Sequence, residues 1–377
     1  MKFLHTSDWH LGASDAEQSL REDQIFFIDE ICRIAGEEKV DAVIIAGDVY
    51  DRSVASAEAT KLYDYAMTKL CKTMSTAVIT IAGNHDSAER LSNCRELLLS
   101  AGLHIAGELT ANPHIVEFDG VNVYLLPWIT EEKVKYVFPE EKENIASLDD
   151  AYRVVTDSFR KTFAPGKKNI IVSHSFVTGS ETSKSDRAAE IGFAAQISAS
   201  VFDGFDYVAL GHIHKPQDIK ENIRYSGTPM PYSFGKEEKQ TKSVTIVDTD
   251  TMEKKIVELP LLHRRATLEG TMEELLNPDC PEDVKNGYIR LVVTDSFVGL
   301  EALSEFRKIY PNLLEVCGRN YDKEDATISI SVDDINRMQE NPVEVFKFFC
   351  NDEIAETPSE HWIELFENAV KSVEEDI

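Results

Sequence analysis

The chain has 377 residues, a hydrophobic fraction of 42% and a formal net charge of −28 at pH 7. That much apolar side chain can form compact cores, which excludes a disordered or collagen-like chain, and the acidic balance argues against binding nucleic acid through bulk positive charge, although metal ions can supply such charge locally. The six cysteines are scattered and no apolar stretch is long enough for a membrane helix, so we expect a soluble cytoplasmic protein that does not bind membranes.

The first two thirds of the chain alternate between short apolar runs and helical patterns. Helices are predicted at 56–70 and 150–163, where apolar residues recur at helical spacing. The short runs are rich in Val and Ile, which favours buried strands. Strands are predicted at 40–46, 77–82, 121–126, 170–172, 207–210 and 244–247. This alternation predicts an α/β domain.

Polar clusters follow four of these strands directly. They are Gly47-Asp48, Gly83-Asn84-His85-Asp86, Ser173-His174 and Gly211-His212-Ile213-His214. Because ligands in open α/β sheets bind outside the carboxyl ends of the strands, we expect the clusters to meet at one edge. Asp8 and His10 follow a further strand around residues 3–5, and in an extended chain residues two apart point to the same side, so both could reach one ion.

The histidines divide into two groups. An isolated histidine is more often a surface or satisfied core residue than a ligand, and this interpretation suits His5, His104, His114, His263 and His361. The other five lie beside Asp, Asn or another His. Their donor set of carboxylates, an amide and imidazoles, without thiolates, is typical of a pair of divalent ions such as manganese, iron or magnesium. A Gly-Asp pair by itself is equally typical of a turn in which Asp caps a helix.

The character of the chain changes near residue 263. Strands are predicted at 256–262, 264–268, 288–294, 313–318 and 327–332. A short helix begins at Thr271 with Glu274 placed for a capping box, and another helix covers 298–310. We therefore divide the chain into an α/β domain at 1–263 that carries the polar clusters, a small α+β domain at 264–332 and an acidic helical tail at 333–377.

The tail carries thirteen acidic and three basic residues. Its last helix is predicted to begin at Thr357-Pro358-Ser359-Glu360 and to place Trp362, Leu365, Phe366 and Val370 on one face. Two interpretations stay open, a solvated acidic face whose helices pack on each other and a docking segment for a partner.

Read in chain order, the motifs D-x-H, G-D-x-x-D, G-N-H-D, H and G-H-x-H resemble those of the calcineurin-like metallophosphoesterases. Longer segments resemble the SbcD family of bacterial DNA repair nucleases within that superfamily; these are GNHDSAERL at 83–91, DYVALGHIHKPQ at 206–217, IRYSGTPMPYSFG at 223–235 and TDSFVGLEAL at 294–303. The resemblance implies a sandwich of β-sheets flanked by helices, a small α+β capping domain that binds DNA, and a C-terminal helical tail.

The resemblance also implies roles for individual residues. One ion would be held by Asp8, His10, Asp48 and His214, and the other by Asp48, Asn84, His174 and His212, with Asp48 bridging the two. His85 would not be a ligand but would face the scissile phosphate and assist the leaving oxygen. The ions are expected to be manganese, with magnesium or iron as alternatives. Where some relatives carry a further histidine, this chain has Asp51 and Arg52.

The function implied is that of a DNA exonuclease and endonuclease subunit in double-strand-break and hairpin processing, acting in DNA repair, recombination and replication. Its partners would be DNA and an SbcC-like SMC-type ATPase, in a heterotetramer that contains an SbcD homodimer. Basic residues such as Lys184, Arg187, Lys215, Lys236 and Lys239 could contact phosphates. The alternatives are another dinuclear metallophosphoesterase, such as a cyclic-nucleotide phosphodiesterase or a protein phosphatase, and a non-catalytic scaffold.

Overall fold

The computed structural model of the chain describes residues 1–15, 18–183, 185–186, 196–295, 300–318, 362–363 and 365–366. The chain divides into two compact units, Met1–Ala266 and Thr267–Ile377. The domain limits derived from sequence stay a prediction, and nearly all of the acidic tail lies outside the described residues. No helix within these ranges is both long and apolar enough to span a membrane.

The first unit is built around two six-stranded sheets. The strands of this unit, in chain order, are β1 (Lys2–Thr6), β2 (Ser14–Asp15), β3 (Gln18–Ser19), β4 (Ala42–Ile45), β5 (Ala77–Ile81), β6 (Leu103–Ala106), β7 (His114–Phe118), β8 (Val121–Leu126), β9 (Lys168–His174), β10 (Tyr207–Gly211), β11 (Gln217–Lys220), β12 (Ile223–Tyr225), β13 (Ser243–Asp248) and β14 (Lys254–Glu258). The strand order is β14-β13-β1-β4-β5-β6 in the first sheet and β11-β12-β10-β9-β8-β7 in the second. Strands β1, β4, β5 and β6 run parallel, whereas β13 pairs antiparallel with β1. All six strands predicted in this part of the sequence are confirmed.

Helices connect the strands of both sheets. They are α1 (Arg21–Glu38), α2 (Ala57–Met67), α3 (Ala88–Leu91), α4 (Arg95–Leu98), α5 (Glu131–Val137) and α6 (Leu148–Arg160). A π-helical segment, Thr68–Thr73, continues α2, so the predicted helix at 56–70 is confirmed to its end. Ser56 caps α2 by accepting a hydrogen bond from the Ala59 amide, and Ser147 caps α6 in the same way. Helix α1 was not predicted.

Two apolar layers hold these elements together. Alternate residues of one strand belong to different layers, because successive side chains of a strand point to opposite faces. On β8, Val123 packs with residues such as Ile44 and Ile79 of the first sheet, while Tyr124 packs with Phe159 of α6. The inner strands β8, β9 and β10 are therefore buried on both faces, which explains their apolar sequence, whereas the edge strands β7 and β11 are partly exposed.

The described elements that follow the first unit are β15 (Arg265–Gly270), whose first two residues still belong to that unit, α7 (Met272–Leu276), α8 (Glu282–Lys285), β16 (Tyr288–Val293), α9 (Leu300–Ile309) and β17 (Leu313–Gly318). The three strands form one sheet in the order β15-β16-β17. The predicted capping box of Thr271 and Glu274 is confirmed. The predicted strand at 327–332 lies outside the described residues. The second unit is α+β, and its sheet packs Ile289 and Leu291 into the interior.

Candidate metal centre

The carboxyl ends of five strands bring all eight predicted site residues together. Asp8 and His10 follow β1, Asp48 follows β4, Asn84 and His85 follow β5, His174 ends β9, and His212 and His214 follow β10. Both sheets thus contribute to one polar edge. Asn84 and His85 are partly buried, and the other six side chains are buried.

Two glycines permit the loops of this edge to approach closely. A Cβ on Gly83 would lie 2.1 Å from the Asp48 carboxylate oxygen Oδ1. A Cβ on Gly211 would lie 1.9 Å from the carbonyl oxygen of Ala46, which belongs to the other sheet. Both distances are far below a van der Waals contact, so only glycine fits. The residue that follows each glycine, Asn84 or His212, is a predicted ligand.

The backbone is strained where several predicted ligands lie. Asp8, His10, Asp48 and His212 have φ values of 53°, 43°, 47° and 102°, in the left-handed region that residues other than glycine rarely adopt. Each such residue costs about 1–3 kcal/mol and persists only where the surroundings hold it. The extended conformation predicted for Asp8 and His10 is therefore wrong. They reach one site from a turn, because their amides donate to the carbonyls of Gly47 and Asp48, each at 3.0 Å.

One half of the edge is formed by Asp8, His10 and His214. One donor atom from each lies within 4.8 Å of the others. The Nε2 atoms of His10 and His214 are 3.2 Å apart, and His10 Nε2 lies 3.9 Å from the Asp48 carboxylate oxygen Oδ2. These four side chains are the set predicted for the first ion.

The other half surrounds the amide oxygen of Asn84. This oxygen lies 2.9 Å from His174 Nε2 and 3.0 Å from His212 Nδ1. Asp48 Oδ2 lies 3.3 Å from His174 Nε2, so the same carboxylate oxygen contacts both halves. These four side chains are the set predicted for the second ion. The assignment of each ligand to one ion stays a prediction, since Asp8, Asp48 and His174 also form a compact group.

The donor atoms fit two divalent cations. Ligand atoms about 2.1 Å from one octahedral ion stand about 3 Å apart, which is the spacing of the nitrogen and oxygen atoms here. Carboxylate, amide and imidazole donors suit ions such as manganese, iron or magnesium.

Burial and the close approach of charges shift the pKa values of this cluster strongly. Burial would raise the pKa of Asp48, but the imidazoles of His174, His85 and His10 together outweigh burial and hold that pKa well below its usual range. Burial would lower the pKa of His174, but Asp48 raises it to about 9. Burial also raises the pKa of Asp8, to about 8, because the attraction of the His174 imidazole does not offset burial there. A second buried carboxylate beside an existing ion pair needs further positive charge, which a bound cation supplies.

His85 occupies a different position from the ligands. Its Nδ1 lies 2.9 Å from the backbone carbonyl oxygen of Asp51, which can only accept, so Nδ1 carries the proton. Its Nε2 lies 3.9 Å from Asp48 Oδ2. The ring lines a cleft of about 200 Å³ that His10, His214 and Tyr232 also border. His85 therefore presents Nε2 at the side of the cluster that a substrate can enter.

Three residues that the sequence did not single out support the centre. Asp86 accepts hydrogen bonds from the amides of Val49, Tyr50 and Gly83, and thereby joins the loops that follow β4 and β5. Burial raises its pKa to about 6. The Trp128 ring stacks on His212 and the Tyr232 ring packs against His10, with ring centres 5.3 and 5.5 Å apart. The G-N-H-D motif could have revealed Asp86, but nothing near Trp128 in the sequence marks it.

Of the basic residues proposed to contact phosphates, Lys184 and Arg187 lie outside the described residues. Lys215 forms an ion pair with Glu181. Lys215, Lys236 and Lys239 are not among the described residues that line the cleft beside His85. Their role in DNA binding stays a prediction.

Comparison with known proteins identifies similarity over most of the first unit. The family model described as Calcineurin-like phosphoesterase matches residues 1–216, which include every predicted ligand and His85. The chain is also similar in structure to a protein of Thermus thermophilus, with 11% identity and a TM-score of 0.40 over 69% of this chain and 99% of that chain. A dimetal phosphatase from Danio rerio is similar at 14% identity, with the same TM-score and coverage.

Proposed function

The chain belongs to the calcineurin-like phosphoesterase family, and from this premise we propose that it is the DNA nuclease subunit of an SbcCD-like complex. Family membership and the grouped donor atoms make the chain a metallophosphoesterase-type hydrolase with two divalent ions. The narrower proposal adds the substrate and the partner. The substrate is DNA, cut as exonuclease and endonuclease during the processing of breaks and hairpins, and the partner is an SbcC-like ATPase.

The metal ions, when bound, supply positive charge that stabilises the attacking and leaving oxygens of a phosphodiester displacement. Asp8, His10 and His214 would hold one ion, and Asn84, His174 and His212 the other. Asp48 has one carboxylate oxygen near both sets and would bridge them. The strained turns fix these side chains before substrate arrives, so little reorganisation is needed on binding.

His85 would act as the general acid that protonates the leaving group. Its Nδ1–H bond to the Asp51 carbonyl orients the ring and leaves Nε2 directed at the cleft. Once Nε2 is protonated, it can donate to the oxygen that departs from phosphorus. The His85 amide donates to Asp48 Oδ1 at 2.9 Å, which fixes the distance between this proton donor and the ions.

The observation that carries the DNA assignment is the position of the segment 223–235. This segment lies beyond the family match and contains part of the SbcD-like sequence. Tyr232 packs against the ring of His10, and Ser226 Oγ lies 2.8 Å from Ser7 Oγ, which in turn donates to Asp8 at 2.5 Å. Part of the segment that resembles the SbcD family thus packs against the predicted ligand His10 and, through Ser7, is linked to Asp8, which supports the proposal.

The direct test of the substrate compares DNA with the substrates of the rival functions. The purified chain with manganese should degrade linear and single-stranded DNA, and Asp48→Asn, prepared in the same way, should not. Cleavage of a cyclic nucleotide or a phosphopeptide, with DNA left intact, would favour another dinuclear metallophosphoesterase. A wild-type chain that binds no metal and cuts none of these substrates would favour a scaffold.

The acidic tail is proposed to dock on the ATPase. Trp362 and Leu365 are 40% and 56% exposed, as the apolar anchors of a docking helix would be. Deletion of 333–377 should leave manganese-dependent cleavage of single-stranded DNA intact, but it should abolish co-purification with the ATPase and ATP-stimulated cutting of duplex ends. A truncated chain that still captures the ATPase in full yield would contradict docking through the tail.

A further inference from the structure

A series of hydrogen bonds that ends at a buried carboxylate begins at His214 Nδ1, the ring nitrogen that does not face His10. Ser185 Oγ lies 2.6 Å from His214 Nδ1 and 2.8 Å from the Glu237 carboxylate oxygen Oε1. Glu237 is only 1% exposed. The chain Glu237–Ser185–His214 thus connects a buried carboxylate to a side chain whose other nitrogen faces the candidate metal centre.

The direction of each of these hydrogen bonds follows from which groups can donate a hydrogen and which can only accept one. A carboxylate only accepts, so the Ser185 hydroxyl donates its one hydrogen to Glu237. Ser185 can then only accept from the imidazole, which places the proton of a neutral His214 on Nδ1. Nε2 is left with a lone pair, directed at His10 Nε2 3.2 Å away. This is the form of histidine that binds a metal ion.

The Glu237 carboxylate, which begins this series of hydrogen bonds, is held rigidly. Glu237 Oε2 accepts hydrogen bonds from the backbone amides of Tyr232 and Ser233, at 2.7 and 2.8 Å. Lys242, which is 1% exposed, lies 3.4 Å from Oε1 and also donates to the His214 carbonyl oxygen at 3.2 Å. These partners of Glu237 are all donors, so both oxygens of the native carboxylate act as acceptors.

We propose that Glu237 is a positioning residue that acts through Ser185 to keep the proton of His214 on Nδ1, and so sets the affinity of the adjoining cation site. Hydrogen-bond partners of this kind, one step behind a metal ligand, commonly change metal affinity about 10–100-fold when they are removed. The inference rests on the two-ion part of the proposed function and is independent of DNA as the substrate.

Two variants change the hydrogen bonds between Glu237, Ser185 and His214 in different ways. Ser185→Ala removes the acceptor of the Nδ1 proton. Glu237→Gln keeps the shape but offers one NH2 group, and the two backbone amides at Oε2 direct that group toward Ser185. Ser185 then accepts from the new amide and donates to His214, which moves the imidazole proton to Nε2.

The experiment is calorimetric titration of the full-length chain with manganese chloride. Each variant should weaken one of the two manganese sites about 10–100-fold and leave the other within about threefold. Ser185→Thr retains a hydroxyl and should restore wild-type affinity. Ser233→Ala is the matched control, because its hydroxyl lies 3.3 Å from Glu237 Oε2, the carboxylate oxygen that does not bond Ser185, and it should bind manganese as the wild type does.

Nitrogen NMR of ¹⁵N-histidine-labelled chain distinguishes orientation of His214 from a general loss of structure. Before manganese is added, the His214 proton should be on Nδ1 in the wild type and on Nε2 in Glu237→Gln. If Glu237→Gln does not fold, the pair of Ser185→Ala and Ser185→Thr decides in the same way. Two tight manganese sites in Ser185→Ala would overturn the proposal. A wild-type chain that binds two ions but leaves DNA uncut would contradict only the substrate assignment.

Discussion

The apolar layer between the two sheets and the polar edge at the strand ends are built from the same strands. Ile44 of β4 is fully buried against the opposite sheet, and Asp48, just beyond the end of that strand, is a buried acid with a left-handed backbone. None of the buried residues that form the layer has such a backbone. The comparison teaches that the sandwich stabilises the fold while the edge, at a cost in stability, holds the chemistry. Substitutions in the two regions should therefore have opposite effects.

The largest effect is expected from Asp48→Asn. A neutral amide cannot replace a bridging carboxylate, so hydrolysis of a simple phosphodiester with manganese should fall by several orders of magnitude. The free energy of unfolding should stay near that of the wild type, because asparagine keeps the size and shape of aspartate. Asp203→Asn, at an exposed ion pair with Lys220, is the control and should change neither quantity. Wild-type activity in Asp48→Asn would contradict the two-ion assignment.

His85→Ala should reduce the rate about 10²–10⁴-fold, the usual scale of acid–base assistance. Because His85 is predicted to assist the leaving oxygen and not to coordinate, the variant should retain both manganese ions in an elemental analysis. Loss of one ion would instead make His85 a ligand. That outcome would agree with the compact group that His85 forms with His10 and Asp51.

Ile44→Ala tests the other side of the comparison. The side chain is fully buried, so its truncation should lower the free energy of unfolding by about 2–5 kcal/mol. The manganese-dependent rate per folded molecule should change less than about threefold, since no donor atom is touched. Denaturant unfolding and kinetics on the same preparation measure both. A rate loss as large as that of His85→Ala would show that the apolar layer contributes to activity as well as to stability.

The smallest effect concerns pH. His5 lies buried in β1, bonded to the Tyr207 hydroxyl and the Leu210 carbonyl, and burial lowers its pKa from 6.5 to about 3. The unfolded chain therefore takes up this proton first, so stability falls as the pH drops from 6.5 toward 3. Between pH 7 and pH 5 this amounts to about 2 kcal/mol. The stability of His5→Gln, measured by denaturant unfolding, should therefore fall by about 2 kcal/mol less than that of the wild type between pH 7 and pH 5. Equal losses in both proteins would contradict the shift.

The sequence predicted β4, β5, β8, β9, β10 and β13 because these strands are short, β-branched and bounded by turns, but it missed β6, β7, β11 and β12. It also predicted which residues meet, because polar clusters at the ends of parallel strands have only one edge to share. The predicted conformation of Asp8 and His10 was wrong for a physical reason. The local pattern indicated extension, but hydrogen bonds to the loop after β4 impose a turn.

The residues behind the ligands could not be found in the same way. Trp128, Ser185 and Glu237 lie far apart in the sequence and carry no motif of their own. Their roles depend on contacts between loops that only the folded chain brings together. Helix α1 was missed as well, although its buried face contains Phe27, Ile28 and Ile31.

The pairing of β1 with β13 has a consequence for the newly made chain on the ribosome. β1 lies inside its sheet, yet one of its two neighbours is complete only when Asp248 has been synthesised. At about 5–20 residues per second, the open side of β1 waits roughly 10–50 s for this partner. During that interval an unpaired strand edge, with its buried residues Phe3 and Leu4, is exposed to other chains. Pauses in translation before Asp248 would lengthen this exposure. We expect chaperones that bind nascent chains to bind at β1.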